Sequence, residues 1–428
     1  MDAEATEHTP ADALARHRLS ALAATLRFVQ QHSPFYRELL AGRSIDENNA
    51  RDVLAELPVF TADGWQRQRA GLRTGPPVGT VVGFTSGTTA VPRPYLSTAA
   101  ERQAFAAASV SGGDEVVLNL VGLNHGLQPV DVYPATVLTI PLLDDGHFEN
   151  AARILERRDE PYASMPPVTT VAGSLRMVKH LSLYLRRRHE SLTHLGVSRL
   201  SVFRHLLSPT WRARLELWWG ARVDTSYGSS ELSACGFQQC GDCGHYHPAP
   251  SGLVEFVDPR DPSVPVGPGG RGTVVVTVFF PFIQLEPRLR YRPGDLVQIA
   301  DQPCPRWGEF GFRVLGREQH AVWSPDAAGW VTPADCFEAV ADLPEVAVSH
   351  DTPQSAADPR LHEAGSPRIA LRADGGGVAL DVELRYDPLV WPAEAERVRR
   401  TVHARMPVAG VAVHTHGQGQ LPGPPCFI

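Results

Sequence analysis

Three short segments of this sequence carry side chains suited to holding a nucleotide triphosphate. Phe84-Thr85-Ser86-Gly87-Thr88-Thr89-Ala90-Val91-Pro92-Arg93 packs hydroxyls, a glycine and a base into ten residues. Phosphate oxygens need donors at close range; hydroxyls and backbone N–H groups freed by glycine supply them, and Arg93 adds charge. The competing reading is an ordinary polar turn, since such turns are rich in the same residues. Tyr227-Gly228-Ser229-Ser230-Glu231 offers an aromatic face, hydroxyls and a carboxylate, and Tyr291-Arg292-Pro293-Gly294-Asp295 offers a carboxylate on a turn. Together they make up the inventory ATP requires: an adenine face, a magnesium ligand at Glu231 and an acceptor for ribose hydroxyls at Asp295.

A second signal is metal-like. Cys235, Cys240, Cys243, His245 and His247 crowd one stretch, and Cys304 lies further on. A Cys-x-x-Cys pair with histidine nearby and a distant cysteine suits a closed tetrahedral zinc site. The expected ligands are Cys240, Cys243, His247 and Cys304, with Cys235 or His245 able to replace one. The alternative is a set of reduced cysteines packing as small apolar side chains. A four-ligand site of this kind is structural and would pin the loop that follows Glu231.

The elements that must position these groups alternate. Thr80 to Phe84, Glu115 to Val121 and Val137 to Leu142 read as strands, and Glu149 to Arg158 and Ala172 to Arg188 as helices. That alternation predicts an α/β fold with buried sheets flanked by helices. Leu19, Leu22 and Leu26 mark an opening helix, and Ser33-Pro34 and Ser208-Pro209 each read as an N-cap with a first-turn proline. Ala221 to Ser226 leads as a strand into Tyr227, and strand ends of this kind are where ligands sit. The Pro/Gly-rich stretch from Asp258 to Gly272 reads as a turn between the strands Leu253 to Val257 and Thr273 to Phe280. Beyond Arg317 the pattern changes to strands around Val346 to Ser349, Arg368 to Arg372, Val378 to Tyr386 and Gly410 to His414, with a helix from Pro392 to Met406. The expected division is a large domain over residues 1–317 and a small, mobile α+β C-terminal domain over 318–428.

Composition narrows the partner. The 428 residues have a formal charge of -7 with acids and bases interspersed, which gives no basic stripe for nucleic acid and no polybasic membrane anchor. The N-terminus is acidic and polar and no run spans a bilayer, so a cytoplasmic enzyme acting on a small molecule is expected, with a homodimer as one assembly. Lys179 is the only lysine. Set in a helix of Leu175, Val178 and Leu181 to Leu185, it reads as a solvated or snorkelling side chain.

With these motifs in this order, the chain resembles the adenylate-forming superfamily of acyl- and aryl-CoA ligases, and within it the phenylacetate-CoA ligase-like branch. The likeness covers most of residues 30 to 320 and includes Ser33-Pro34-Phe35-Tyr36-Arg37, the Thr85 to Thr89 loop, Pro209-Thr210-Trp211-Arg212 and Tyr291-Arg292-Pro293-Gly294-Asp295-Leu296. The resemblance implies an ATP-binding large domain, a mobile C-terminal domain, and formation of an acyl-AMP with release of pyrophosphate. It implies that Thr85, Ser86, Gly87, Thr88 and Thr89 hold phosphates, that Tyr227 stacks on adenine within the Gly228, Ser229 and Ser230 loop, that Glu231 binds magnesium, and that Asp295 holds the ribose. Arg317 matches the arginine before the hinge. Leu123-Asn124-His125-Gly126 falls where relatives line the acyl pocket, and His125 there is a candidate base or orienting group.

The departures matter as much. Ala90 replaces a glycine, Arg93 a frequent lysine, and Phe203-Arg204-His205 a Gly-Gly-Glu turn that borders adenine. The hinge aspartate falls on Gln319 or His320, and the closing segment from Gln420 to Ile428 carries no counterpart of the family's catalytic lysine. Arg93, Arg204 or His125 then stands as the substitute cation, and use of CoA is open. Three functions compete: an ATP-dependent ligase for an aromatic or related carboxylate in secondary metabolism, an adenylating diazotase or N–N-forming enzyme using nitrite and an aryl amine, and a non-catalytic nucleotide-binding scaffold. Glu231 and Asp295 weigh against the last, because a scaffold has no use for a magnesium carboxylate.

Overall fold

The computed structural model describes residues 10–84, 93–108, 115–121, 136–142, 144–203, 206–232, 235–325, 329–349, 363–375 and 377–422. The chain forms two compact units. One comprises Met1–Val110, Asn124–Tyr133 and Ser226–Val314; the other comprises Ser111–Leu123, Pro134–Thr225 and Leu315–Ile428. The chain passes into the second unit for the last time between Val314 and Leu315.

In the first unit the opening helix Pro10–His32 buries Leu22, Leu26 and Val29 at helical spacing. They pack with Tyr36, Trp65, Phe279, Tyr291 and Phe312 into one core, each large side chain contributing roughly 1.5–3 kcal/mol. The short helix Pro34–Leu39 begins at the expected proline, but the Ser33 hydroxyl donates to the Gly71 carbonyl (3.1 Å) and caps nothing. The sheet of this unit runs in the order Phe60–Thr61, Tyr291–Arg292, Arg271–Val278, Asp295–Ile299, the part of Phe312–Arg317 up to Val314, Tyr246–Pro248, Phe237–Gln239 and the end of Arg222–Tyr227 at Ser226 and Tyr227, with Gly252–Val257 paired on Arg271–Val278. The turn read from Asp258 to Gly272 is borne out, since Val257 lies opposite Thr273 in an antiparallel ladder. Val274, Val275 and Val276 are all fully buried, which is why that strand reads as a continuous β-branched run.

The second unit holds a parallel sheet ordered Arg199–Phe203, Thr170–Ser174, Val116–Asn119, Thr136–Thr139, with Val171 between Leu118 and Leu200. Helices Asp145–Glu156, Leu175–Arg186 and Pro209–Trp219 pack with it around a core of Leu118, Val171, Leu181 and Trp219. Each helix starts on a side-chain cap, from Asp144, Ser174 and Ser208 respectively. The helix expected from Ala172 starts at Leu175 instead. Residues Thr170–Ser174 are a central strand whose pairing on two neighbours overrides its weak local signal, and Ser174 closes the strand and caps the helix.

The C-terminal part of this unit has a core of its own, built from Val331, Val378, Leu380, Val382, Val398 and Val402. Its sheet is ordered Ile369–Asp374, Gly377–Glu383, Val411–His416, antiparallel and then parallel, and helices Pro333–Val340 and Pro392–Arg405 supply apolar side chains to the same core. Lys179 departs from its reading as a solvated side chain. It is 6% exposed, its ammonium lies 4.4 Å from the centre of the Trp211 ring, and burial lowers its pKa to about 7.

Candidate functional site

Two of the sequence motifs meet in the first unit through one hydrogen bond. Strand Arg222–Tyr227 delivers Tyr227 at its end, and the Tyr227 hydroxyl donates to Asp295 Oδ2 at 2.7 Å. Asp295 is not on the turn itself. The turn is Pro293-Gly294, where φ of +85° at Gly294 suits a residue without Cβ, and Asp295 opens the strand Asp295–Ile299. Its backbone carbonyl accepts from the Thr273 hydroxyl at 3.2 Å, so the buried carboxylate stands on a fixed main chain. The Tyr227 ring packs against Phe237 (5.1 Å between centres) and edge-on to Phe312 (5.9 Å), which fixes its orientation.

Gly228 and Ser229 follow, then the 3-10 turn Ser230–Leu232 that carries Glu231. The Ser229 Oγ is buried and has no hydrogen-bond partner among the described residues, a deficit that a bound ligand would repair. Glu231 accepts a hydrogen bond from the Tyr291 hydroxyl, and burial, with the Glu231 charge behind it, pushes the Tyr291 phenol far above its usual range and keeps it a donor. Behind Tyr291 lies Arg288, buried, its guanidinium 3.4 Å from the centre of the Trp65 ring. Arg93 sits at the start of the strand Pro94–Thr98 and pairs with Asp63 at 2.7 Å.

The candidate residues thus divide. Tyr227, Gly228, Ser229, Glu231, Asp295 and Arg93 all belong to the first unit. Ser230 lies in the same turn as Glu231. Thr85, Ser86, Gly87, Thr88, Thr89, His125 and Arg204 lie outside the described residues. Arg317 ends the strand Phe312–Arg317, and burial together with the Arg317 charge lowers the pKa of half-buried His320. Sequence reasoning gave Tyr291 no role although its motif was singled out, and it overlooked Arg288. The alternation Arg288, Arg290, Arg292 reads as a polar edge, whereas Arg288 is 2% exposed.

The metal-like cluster assembles with the expected ligands. The sulfurs of Cys240, Cys243 and Cys304 and a ring nitrogen of His247 lie within 4.8 Å of one another. Cys240 and Cys304 sulfurs are 3.8 Å apart, and Cys243 Sγ is 3.2 Å from His247 Nε2. A tetrahedron with metal–sulfur bonds of about 2.3 Å has sulfur–sulfur edges of about 3.8 Å, so these four atoms could hold a zinc-sized ion. Burial raises the Cys240 thiol pKa, but hydrogen bonds from the Cys243 and Asp242 amides outweigh it and leave the pKa below its ordinary value. Two tight turns present the sulfurs. The Gly244 amide donates to the Cys240 carbonyl and the Gly308 amide to the Cys304 carbonyl, both at 2.8 Å, with φ of +73° and +66° at the two glycines. Gly311 leaves room for His247, since a Cβ there would lie 2.7 Å from Nε2. Of the substitutes, Cys235 is buried in the hydrophobic core, and His245 turns its Nδ1 to the Cys243 carbonyl at 2.8 Å, so neither joins the cluster.

No protein-family model matches the sequence, and no curated protein sequence matches it. Solved structures do match in fold. A 2-hydroxyisobutyryl-CoA ligase in the postadenylation state, bound to R3-HIB-AMP, superposes with a TM-score of 0.66 at 16% identity over 99% of this chain and 93% of its own. The anthranilate-CoA ligase AuaEII in complex with anthranoyl-AMP gives 0.53 at 14% identity over 81% and 65%. A benzoate-CoA ligase from Burkholderia xenovorans LB400 gives 0.50 at 14% over 94% and 90%. The fold is therefore the α/β fold of the adenylate-forming ligases, large central sheets flanked by helices with a smaller C-terminal α+β part. No helix among the described residues is long and apolar enough to cross a membrane.

Proposed function

We propose that the protein is an ATP-dependent, AMP-forming ligase that activates a small carboxylate, aromatic or closely related, as its acyl-adenylate with release of pyrophosphate. The observation that carries this reading is the Tyr227–Asp295 hydrogen bond. It brings together the end of strand Arg222–Tyr227 and the start of strand Asp295–Ile299, 68 residues apart, with the Ser229 hydroxyl, which has no partner among the described residues, and Glu231 in the turn that follows Tyr227. Tyr227 offers a ring face to adenine and Asp295 accepts from the ribose hydroxyls. Thr85, Ser86, Thr88 and Thr89, around Gly87, donate to phosphate oxygens. Glu231 would hold magnesium, which when bound neutralises phosphate charge. The only lysine is occupied against Trp211, so in this sequence the positive charge beside the reacting carboxylate and α-phosphate falls to Arg93, Arg204 or His125. The acceptor is CoA, another thiol or an amine, and residues 318–428 would move as the mobile domain about Arg317.

The test is pyrophosphate release with ATP and magnesium over a panel of aryl carboxylates, followed by nitrite with aryl amines. Release with carboxylates is expected. Release only with nitrite and amine would replace this reading with N–N bond formation, and silence with every substrate would leave a nucleotide-binding scaffold.

The four-ligand cluster is proposed as a structural zinc site, held by Cys240, Cys243, His247 and Cys304. Its chemistry is closed: four protein ligands leave no position for water, so it fixes the loop after Glu231 and takes no part in the reaction. Elemental analysis of the purified protein is expected to find about one equivalent of zinc, falling to near zero in Cys243→Ala. A zinc-free wild type of full stability would remove the assignment.

A further inference from the structure

The carboxylate proposed for magnesium is backed by buried groups of which only Tyr291 belongs to a sequence motif of the nucleotide site. Arg288 is its centre. Trp65 covers the guanidinium at 3.4 Å, and the Tyr291 ring lies 5.5 Å away. Arg288 Nη1 donates to the Glu286 carbonyl at 2.7 Å, and the Trp65 indole donates to the neighbouring Pro287 carbonyl at 3.1 Å, so backbone and ring clamp the guanidinium from two directions.

The charges around it do not balance locally. Among the described residues Glu286 is the carboxylate within ion-pair distance of Arg288, at 3.7 Å, and it also pairs with Arg69 at 2.6 Å and Arg73 at 3.0 Å. Three guanidinium groups share one buried carboxylate. The other acid whose charge reaches Arg288 is Glu231, and Tyr291 stands between them, its hydroxyl bonded to Glu231 and its ring beside Arg288. Arg288 Nε and the Tyr36 hydroxyl are both buried without a hydrogen-bond partner among the described residues, and the Tyr36 phenol feels the Arg288 charge. Tyr36 belongs to Ser33-Pro34-Phe35-Tyr36-Arg37, the motif for which the nucleotide site has no use. A buried cation with an unused donor is costly in a core unless it serves an anion beyond its own shell.

We propose that Arg288 is a positioning residue for Glu231: clamped by Trp65 and the Glu286 carbonyl, with Tyr36 behind it, it holds Tyr291 in the orientation that keeps Glu231 turned to its cation. This inference rests on the proposed ATP-dependent function and names a residue that works behind it. Arg288 does not touch the nucleotide. Its effect is therefore on the metal requirement and not on recognition of the carboxylate substrate.

The test compares Arg288→Met, Arg288→Lys and Tyr291→Phe with wild type in pyrophosphate release. Methionine keeps the packing on Trp65 and removes the charge; lysine restores a charge. Arg288→Met and Tyr291→Phe are expected to raise the magnesium concentration for half-maximal rate by roughly tenfold while KM for the carboxylate stays within about twofold, and Arg288→Lys to recover most of the loss. The double variant Arg288→Met/Tyr291→Phe is expected to be no worse than the poorer single one, because both act on one path. Wild-type magnesium dependence in folded Arg288→Met and Tyr291→Phe overturns the inference and leaves the ligase reading standing. Should Arg288→Met not fold, Tyr291→Phe and Arg288→Lys carry the same comparison. If wild type releases no pyrophosphate, magnesium-dependent binding of a fluorescent ATP analogue gives the same readout, and its absence in wild type overturns both proposals.

Discussion

Asp295→Ala is expected to lower kcat/KM for pyrophosphate release by at least about a hundredfold while the protein still folds. Two losses combine in that substitution. The ribose hydroxyls lose their acceptor, and the Tyr227 hydroxyl loses the hydrogen bond it donates to Asp295 at 2.7 Å, so the ring proposed to face adenine loses one of its supports. Its packing on Phe237 and Phe312 survives. The two contributions separate with Tyr227→Phe, which keeps the carboxylate and removes only the orienting hydrogen bond. It is expected to cost about tenfold or less, mostly in KM for ATP. Stability should fall by only about 1–3 kcal/mol in Asp295→Ala, the range for losing a hydrogen bond to a charged group, so thermal unfolding distinguishes lost catalysis from lost fold. Glu231→Ala is expected to match the loss in turnover through the magnesium requirement. A folded Asp295→Ala enzyme releasing pyrophosphate at the wild-type rate would sink the assignment of Asp295 to ribose.

The same pair of residues shows what a sequence can and cannot reveal. Tyr227 and Asp295 were each legible because an aromatic at a strand end and a carboxylate after Pro-Gly are local patterns. Their contact across 68 residues was not, because it depends on the order in which strands enter the sheet. The start of the helix Pro209–Trp219 is legible and the strand expected over Thr273 to Phe280 lies within two residues of Arg271–Val278, since a Ser-Pro cap and a run of β-branched residues act within a few positions. The strand Thr170–Ser174 was merged into a helix, as two parallel neighbours and not its own composition make it a strand. Cys240, Cys243, His247 and Cys304 stand out by their spacing, and the fold brings those four together and leaves out Cys235 and His245. Arg288 gave no signal. An arginine reads as exposed, and only the Trp65 ring above it and the crowded Glu286 beside it show otherwise. Lys179 misled for the same reason, and its burial has a measurable consequence.

Lys179→Met is expected to stabilise the protein by up to several kcal/mol at pH 6, with the gain shrinking steadily toward pH 10. The argument starts from burial. Desolvation lowers the Lys179 pKa from an ordinary 10.5 to about 7, against the partial help of the Asp342 and Glu363 charges and with added repulsion from Arg176 and Arg214. Arg214 is itself drawn off by Glu363 at 2.7 Å and lies 5.4 Å from the same Trp211 ring, so two cations compete for one aromatic face. Because the folded pKa lies below the unfolded one, the unfolded chain holds the extra proton between about pH 7 and 10.5, and stability must rise with pH across that window. Below pH 7 both states are charged and the full cost of burying the ammonium remains, an upper figure of roughly 5 kcal/mol for this displacement. The cation–π contact on Trp211 returns about 1–2 kcal/mol of it, which methionine packing on the same ring would partly replace. Denaturant midpoints for wild type and Lys179→Met at pH 6 and pH 9 decide the matter: the wild type should gain on the variant as pH rises, whereas parallel midpoints at both pH values would mean that Lys179 is charged and compensated throughout. A lysine that is costly to keep and far from neutral packing invites the stability–function comparison directly. If Lys179→Met proves more stable yet releases pyrophosphate at an unchanged rate, Lys179 has no part in the proposed adenylation.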